Sequence, residues 1–281
     1  MSSVELTTTK TLARLRDLCA GSGERLDLLE AALALSALRL GAAVDLAPFR
    51  QHVAAMSDGL ADLVRRRGAA PESLGEIIAQ SYAYRGDSET YDDLQNADLA
   101  RVIERRKGLP VALSILYLHI ARAQGWNAEG LAFPGHFLIR VEIDGARHII
   151  DPFHDGCVRD ADDLRDLLRQ VLGPTAELQP EHFDPVFDRD VLLRLENNVR
   201  LRLAKREEWD GAAQSLDRML AIAPDRAELL FEAGQLNARL DKRRAAISAF
   251  QRLLELDGSQ GDAKLRRLAS ELLQELRRGL N

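Results

Sequence analysis

His136 and Asp151 are the two residues of this chain whose types and separation best fit acid–base chemistry. Asp144-Gly145 lies between them and is a strong two-residue hairpin signal. Phe137, Ile139 and Val141 alternate with Leu138, Arg140 and Glu142 on the outgoing strand, and Ala146 to Ile150 form the return. Such a hairpin brings His136, at the start of one strand, near Asp151, at the end of the other. A neutral imidazole beside a carboxylate is a base held in one tautomer, as in nucleophile–His–Asp triads. The pattern lacks the nucleophile. Metal chemistry fits less well: His148, Asp151 and His154 are three apart. On a strand ending at Asp151, His148 and Asp151 point to opposite faces, His154 lies past Pro152, and a zinc site needs three or four converging ligands. No metal and no cofactor is expected, and His52 and His119 read as satisfied or surface histidines.

These side chains need a scaffold, and Lys107 to Phe153 supplies it. Gly108 and Pro110 open a helix, since proline is well tolerated in a first turn. From Val111 to Ala123 apolar residues fall on almost every face, so this helix is surrounded by protein. At about 100° per residue, Pro110, Ser114, Tyr117 and Ala121 share one narrow arc where a cleft could lie. Gly125 ends the helix.

RRKGLPVALSILYL, FPGHFLIR and IIDPF resemble the transglutaminase-like core, a papain-like α+β fold. That core carries Gly-x-Cys at a helix start, fifteen residues before a helix-ending Gly, then a His-x-aromatic strand and an Asp-Pro. Gly108-Leu109-Pro110 stands where Gly-x-Cys would, with Pro110 in the nucleophile position, and His136 and Asp151 match the other triad members. The closer resemblance is to the bacterial SirB-type branch, where Gly-x-Pro replaces Gly-x-Cys and tetratricopeptide repeats follow. The resemblance implies a relict His136–Asp151 pair on a scaffold without its thiol. Pro110 can attack nothing. Ser114, one turn on, is the weak substitute, because a serine on a buried helix usually bonds back to a carbonyl. Cys157 sits on the wrong element, and Tyr117 reads as a cleft wall or core residue with a satisfied hydroxyl.

With 281 residues, 46% hydrophobic and 29% charged, the chain has room for one large or two modest domains. A formal net charge of −6 argues against nucleic acid or anionic membrane as the main partner. Arg65-Arg66-Arg67 and the cluster Arg101, Arg105, Arg106 and Lys107 read as solvated helix ends. Two cysteines, Cys19 and Cys157, make no disulfide framework and fit a reducing compartment. Met1 to Lys10 is polar, with no apolar leader core, and no run is long enough to span a membrane. The expected location is cytoplasmic.

The expected fold class is α+β, in four parts. Residues 1–90 form a helical region packed on the core: Val4 to Cys19, a break at Gly21-Ser22-Gly23, Leu26 to Leu40, a helix from Pro48 to Gly68, and a fourth from Pro71 through Leu74, Ile77, Ile78 and Tyr82. Residues 91–175 are the transglutaminase-like core with a small antiparallel sheet. Gly86 to Asn96 reads as a surface loop, and the family's Tyr-Asp-Pro-Arg-Asn is matched only at Tyr91, Asp92 and Asn96. Asn96 caps the helix Ala97 to Arg106. Gly156 to Arg159 is a turn, and Ala161 to Leu172 a helix. Residues 176–188 are a linker. Residues 189–281 are all-α: Trp209 through Asp225 aligns with Arg243 through Ser259 at an offset of 34 residues, the tetratricopeptide period, with Asp262 to Leu280 as a capping helix. Ala212 and Ala246 are the small contact residues, Leu216 and Phe250 the large ones, and Gly234 sits where the repeat favours a small residue.

Two function classes follow. One is a non-catalytic binding or regulatory module that takes a protein or peptide partner through the cleft or the repeats. The other is an amide hydrolase or acyltransferase in which His136–Asp151 activates Ser114 or water. The missing thiol favours the first.

Overall fold

Apolar periodicity in the N-terminal region produces α1 (Ser3–Cys19), α2 (Leu28–Leu40) and α3 (Ala47–Arg67). Asp27 caps α2 by accepting from the Glu30 amide at 3.1 Å, and every α2 residue from Leu28 to Ala37 except Glu30 is buried. The computed structural model describes residues 3–21, 25–41, 44–256 and 263–278. The break expected at Gly21-Ser22-Gly23 and the capping helix expected over Asp262 to Leu280 fall partly outside these residues, and the end of the second repeat at Gly258-Ser259 wholly so. The chain divides into two units, residues 1–195 and 196–281, so the N-terminal helices and the core are one body.

Several expectations need correction here. The helix from Pro71 holds as far as Ser81, but only its first turn, α4 (Glu72–Gly75), is α-helical and Glu76–Ser81 is π-helical. The stretch read as a surface loop is anchored at both ends. Asp87 and Asn96 are buried, and β1 (Arg85–Gly86) pairs in parallel with β2 (Lys107–Gly108). The following helix is shorter than expected, α5 (Leu99–Arg105). Asp98, not Asn96, caps it, accepting from the Arg101 amide.

The central helix α6 (Pro110–Ala123) begins at proline as expected and packs against α2, α3 and α5 as well as the sheet. Its residues Val111 to Leu118 are all buried. The sheet has strand order β6-β5-β4-β3-β7, antiparallel throughout: β3 (Asn127–Leu131), β4 (Leu138–Ile143), β5 (Ala146–Asp151), β6 (Cys157–Arg159) and β7 (Pro185–Val186). The hairpin between β4 and β5 turns at Asp144 (φ 50°) and Gly145 (φ 80°), the two positive φ values of a type I′ turn.

β3, whose sequence NAEGL has little strand character, was not expected. Its order comes from pairing on both sides and from burial of Ala128 and Leu131. Gly156 to Arg159 is not simply a turn, because Cys157–Arg159 pair with β5 as an edge strand. Both faces of β4 are covered. Leu138 packs with Leu164, Leu167 and Leu168 of α7 (Ala161–Leu172), while Ile139, facing the other way, is equally buried.

The expected linker 176–188 is also corrected. Ala176, Leu178 and Phe183 pack on the α7 cluster, and Pro185–Val186 extend the sheet. Apolar anchors at irregular spacing hide from a periodicity argument.

α8 (Asp188–Lys205) starts on a buried carboxylate. Asp188 takes two bonds from Arg122 of α6, at 2.7 and 2.8 Å, and one from the Leu26 amide at 2.8 Å.

The second unit contains α9 (Trp209–Ile222), α10 (Ala227–Arg239), α11 (Arg243–Glu255) and α12 (Ala263–Arg278). α10 packs against α9, α11 and α12. Gly234 admits Phe250, whose ring would lie 2.4 Å from a Cβ there. Among the described residues no helix is long and apolar enough to cross a membrane.

The close approach of β1 to the loop after β5 gives a stability test. A Cβ on Gly86 would lie 2.5 Å from Phe153, both ring and carbonyl. Gly86→Ala is therefore expected to cost about 1–3 kcal/mol by overpacking, read as a lower urea midpoint at unchanged slope.

Candidate functional site

Asp151 closes β5 inside the protein, 1% exposed, and its carboxylate is fully engaged. Oδ1 accepts from the backbone amides of Phe153 (3.1 Å) and His154 (3.3 Å), the turn an Asp-Pro sequence favours. Oδ2 accepts from Arg159 Nη2 at 2.9 Å and Nε at 3.3 Å, and contacts His154 Nδ1 at 2.8 Å. The side chain of His154 is 47% exposed. Its Nδ1 contact with Asp151 is the geometry by which a carboxylate fixes a histidine tautomer.

His136 lies between the Pro134-Gly135 turn and β4, half-buried. The expected His136–Asp151 hydrogen bond is absent among the described residues. His136 instead faces His154, with ring centres 6.4 Å apart and planes inclined by 44°. Burial holds the His136 imidazole below its ordinary pKa. Asp151 acts in the opposite sense, and His154 and Arg159 reinforce the lowering. The hairpin thus brings His136 and Asp151 into one electrostatic neighbourhood, while His154 takes the contact that alternation had assigned to His136.

Pro110 occupies the first position of α6, and Ser114 Oγ donates back to the Pro110 carbonyl at 2.8 Å. Ser114 is fully buried. Its proton is spent within the helix. Cys157, on β6 beside Asp151, is a free cysteine whose thiol is pushed up by burial, with Arg159 opposing. Neither side chain is an activated nucleophile.

Tyr117 lies beneath the loop. It is fully buried, and a Cβ on Gly156 would lie 2.5 Å from its hydroxyl. That hydroxyl has no hydrogen-bond partner among the described residues, contrary to expectation. Burial, then the nearby Asp155, Cys157 and Asp151, push it well above the tyrosine range. Gly75 allows the same loop to approach from the other side, 2.8 Å from the Asp155 carbonyl to a Cβ built there. His52 is likewise not satisfied, since its Nε2 is buried without a partner and the ring stands edge-on to Tyr82.

The 86–96 segment borders the site through Tyr91, whose ring meets Phe153 edge-on at 6.0 Å. Its base is a polar knot. Asp87 accepts from the Thr90 hydroxyl (2.6 Å) and amide (2.9 Å) and from Arg105 (3.1 Å). Asn96 accepts from Arg105 at 2.9 Å and donates to the Thr90 carbonyl at 2.7 Å. Burial alone would raise the Asp87 carboxyl; the Thr90 bonds, Asn96 and the Lys107 charge outweigh it and bring it down to about 2. The basic cluster is thereby occupied: Arg105 serves this knot, and Arg106 bonds the Tyr82 carbonyl at 2.9 Å.

His154 and Arg159 are the residues that strand alternation missed. The available signal was local, an Asp-Pro turn followed by a histidine and then an arginine within one short return strand. Among the described residues no group of three or more His, Cys, Asp or Glu is placed to hold a metal ion, His148, Asp151 and His154 included.

Comparison with known proteins follows the same stretch of chain. Residues 48–197 match the family described as the transglutaminase-like superfamily. A UPF0162 protein of Xylella fastidiosa (strain Temecula1) is 33% identical over 187 residues, which cover 66% of this chain and 66% of that protein. A UPF0162 protein of Vibrio cholerae serotype O1 is 30% identical over 185 residues, covering 66% of this chain and 68% of that one. Human F-box only protein 21 is 33% identical over 181 residues, 60% of this chain but 27% of its own length. The match thus spans about two-thirds of the bacterial relatives and about a quarter of the human protein.

Two stability measurements probe the polar groups. Arg159→Met leaves the buried Asp151 charge without its cation and is expected to cost about 3–5 kcal/mol, whereas His154→Ala, at the surface, should cost about 1 kcal/mol, both by urea denaturation. Asp87 tests the pH dependence. Its folded value lies below the ordinary 3.8, so its contribution of about 2 kcal/mol is present above pH about 4 and lost as pH falls towards about 2. Asp87→Asn should be less stable by that amount at neutral pH, with the gap to wild type closing over that acid window.

Proposed function

We propose a function from one premise: the chain belongs to the transglutaminase-like superfamily, and we read it as using that scaffold to bind rather than to transfer acyl groups. The observation that carries this reading is the state of the nucleophile seat. Pro110 has no thiol or hydroxyl, and the Ser114 hydroxyl is bonded to the Pro110 carbonyl. Covalent acyl chemistry needs an activated nucleophile there. His136 also lacks the carboxylate contact that would orient it as that nucleophile's base, because Asp151 is committed to His154 and Arg159. His136 and Asp151 are on this reading a relict pair.

The second unit supports the binding half of the proposal. α9 and α11 begin at Trp209 and Arg243, 34 residues apart, the tetratricopeptide period. Ala212, Leu216, Ala246 and Phe250 are all buried, as that repeat would need. A cavity of about 460 Å³ is lined by Phe250, Leu272 and Leu276 together with the charged Asp241, Arg243 and Glu275. We assign it to a protein or peptide partner. The SirB-type assignment, with a regulatory role in the cytoplasm, belongs to the same proposal.

The test is turnover. Purified protein is expected to show none on glutamine-donor, peptide or ester substrates; turnover abolished by His136→Ala or His154→Ala would overturn the reading in favour of a hydrolase using water or Ser114. Pro110→Cys tests the seat. A thiol in the first turn of α6 should titrate below the ordinary cysteine value of about 8.5, and the difference from Pro110→Cys/His136→Ala measures what His136 contributes. An ordinary thiol in both variants would remove Pro110 from the nucleophile position.

A further inference from the structure

Two imidazoles, His136 just before β4 and His154 in the turn after β5, stand with ring centres 6.4 Å apart, and nothing in the acyl-transfer pattern accounts for the second. We propose that His136 and His154 together form a binding site for an oxyanion, a carboxylate or phosphate oxygen held between the two rings. This deepens the binding reading above and rests on it. The ring-centre spacing suits such a ligand. Two imidazoles sharing one zinc ion through bonds of about 2.0–2.1 Å bring their ring centres to about 5–6 Å. Two N–H···O bonds of about 2.8 Å to one shared oxygen leave the centres about 6–7 Å apart. The observed separation is 6.4 Å, and no third metal ligand converges among the described residues.

The electrostatics agree. The groups whose charge acts on His136 are Asp151 on β5, His154 in the following turn and Arg159 on β6; Asp155 and Cys157 lie with Asp151 near the Tyr117 hydroxyl. The Asp151 charge is answered by Arg159 at 2.9 Å. Its bond to His154 Nδ1 orients that ring, whose side chain is otherwise half-exposed. His136 has no side-chain hydrogen bond among the described residues, and burial, reinforced by Arg159, disfavours its charged form, which an anion would favour. Binding an oxyanion therefore takes up a proton. Affinity rises as pH falls through the imidazole range and is lost above it. The flanking Phe153 ring, 5.4 Å from His154, shelters these bonds on one side.

The experiment is NMR of the imidazole side chains of the full chain, titrated near pH 6 with inorganic phosphate, with acetate, and with chloride at matched ionic strength. Saturable shifts of both His136 and His154 are expected with phosphate or acetate and not with chloride. They should weaken about tenfold or more in either His136→Ala or His154→Asn, the latter keeping an N–H for Asp151, and vanish near pH 8. Saturation by phosphate alone identifies a phosphoryl ligand, by acetate a carboxylate such as an acidic side chain or chain terminus. An equal chloride response, no saturable shift, or a shift confined to one ring overturns the proposal. If that failure comes with no acyl turnover, the binding reading stands and only the oxyanion site falls. Turnover would overturn that reading whatever the imidazoles do.

Discussion

A carboxylate taken out of water must be met on nearly all of its lone pairs, and Asp151 shows what that demand organises. Its five contacts recruit two backbone amides, one guanidinium and one imidazole, all within nine residues of chain. Satisfying them forces the chain to turn immediately after β5 and return as β6. The loop so formed reaches under β1, over Tyr117 and against α4. An unpaired buried charge costs several kcal/mol, so the turn, the edge strand and the placement of His154 rise or fall together.

Glycine makes that arrangement sterically possible. Gly75, Gly86 and Gly156 lie on three different segments, and each sits where a methyl group would collide with the loop or with what the loop covers. Three close approaches to one nine-residue segment fix it from several sides. The half-exposed His154 ring thus stands on a closely packed base.

Where the chain has strong period, composition alone locates structure. The apolar run of α6, the Asp144-Gly145 turn, the helix from Ala161 and the paired helices after Trp209 all stand where their residues place them. Weakly patterned segments went astray. β3 is strand because two neighbours pair with it, β7 because Phe183 anchors the segment before it, and Asp87 is buried because Arg105 waits for it. Tertiary partners decide such segments, and a linear string does not display them. The site divides the same way. His136 and Asp151 were visible as a type and a spacing. Their hydrogen bond was not formed, because a turn residue three positions past the aspartate competes from closer by.

Both margins of the five-stranded sheet are short. β6 offers three residues and β7 two, the first of them proline, which has no amide hydrogen to donate. Long open margins serve as templates on which a second chain can lay its own backbone, the first step of fibrillar assembly. The chain closes its sheet with stubs instead. Little bare peptide edge is thereby offered for another strand to pair with.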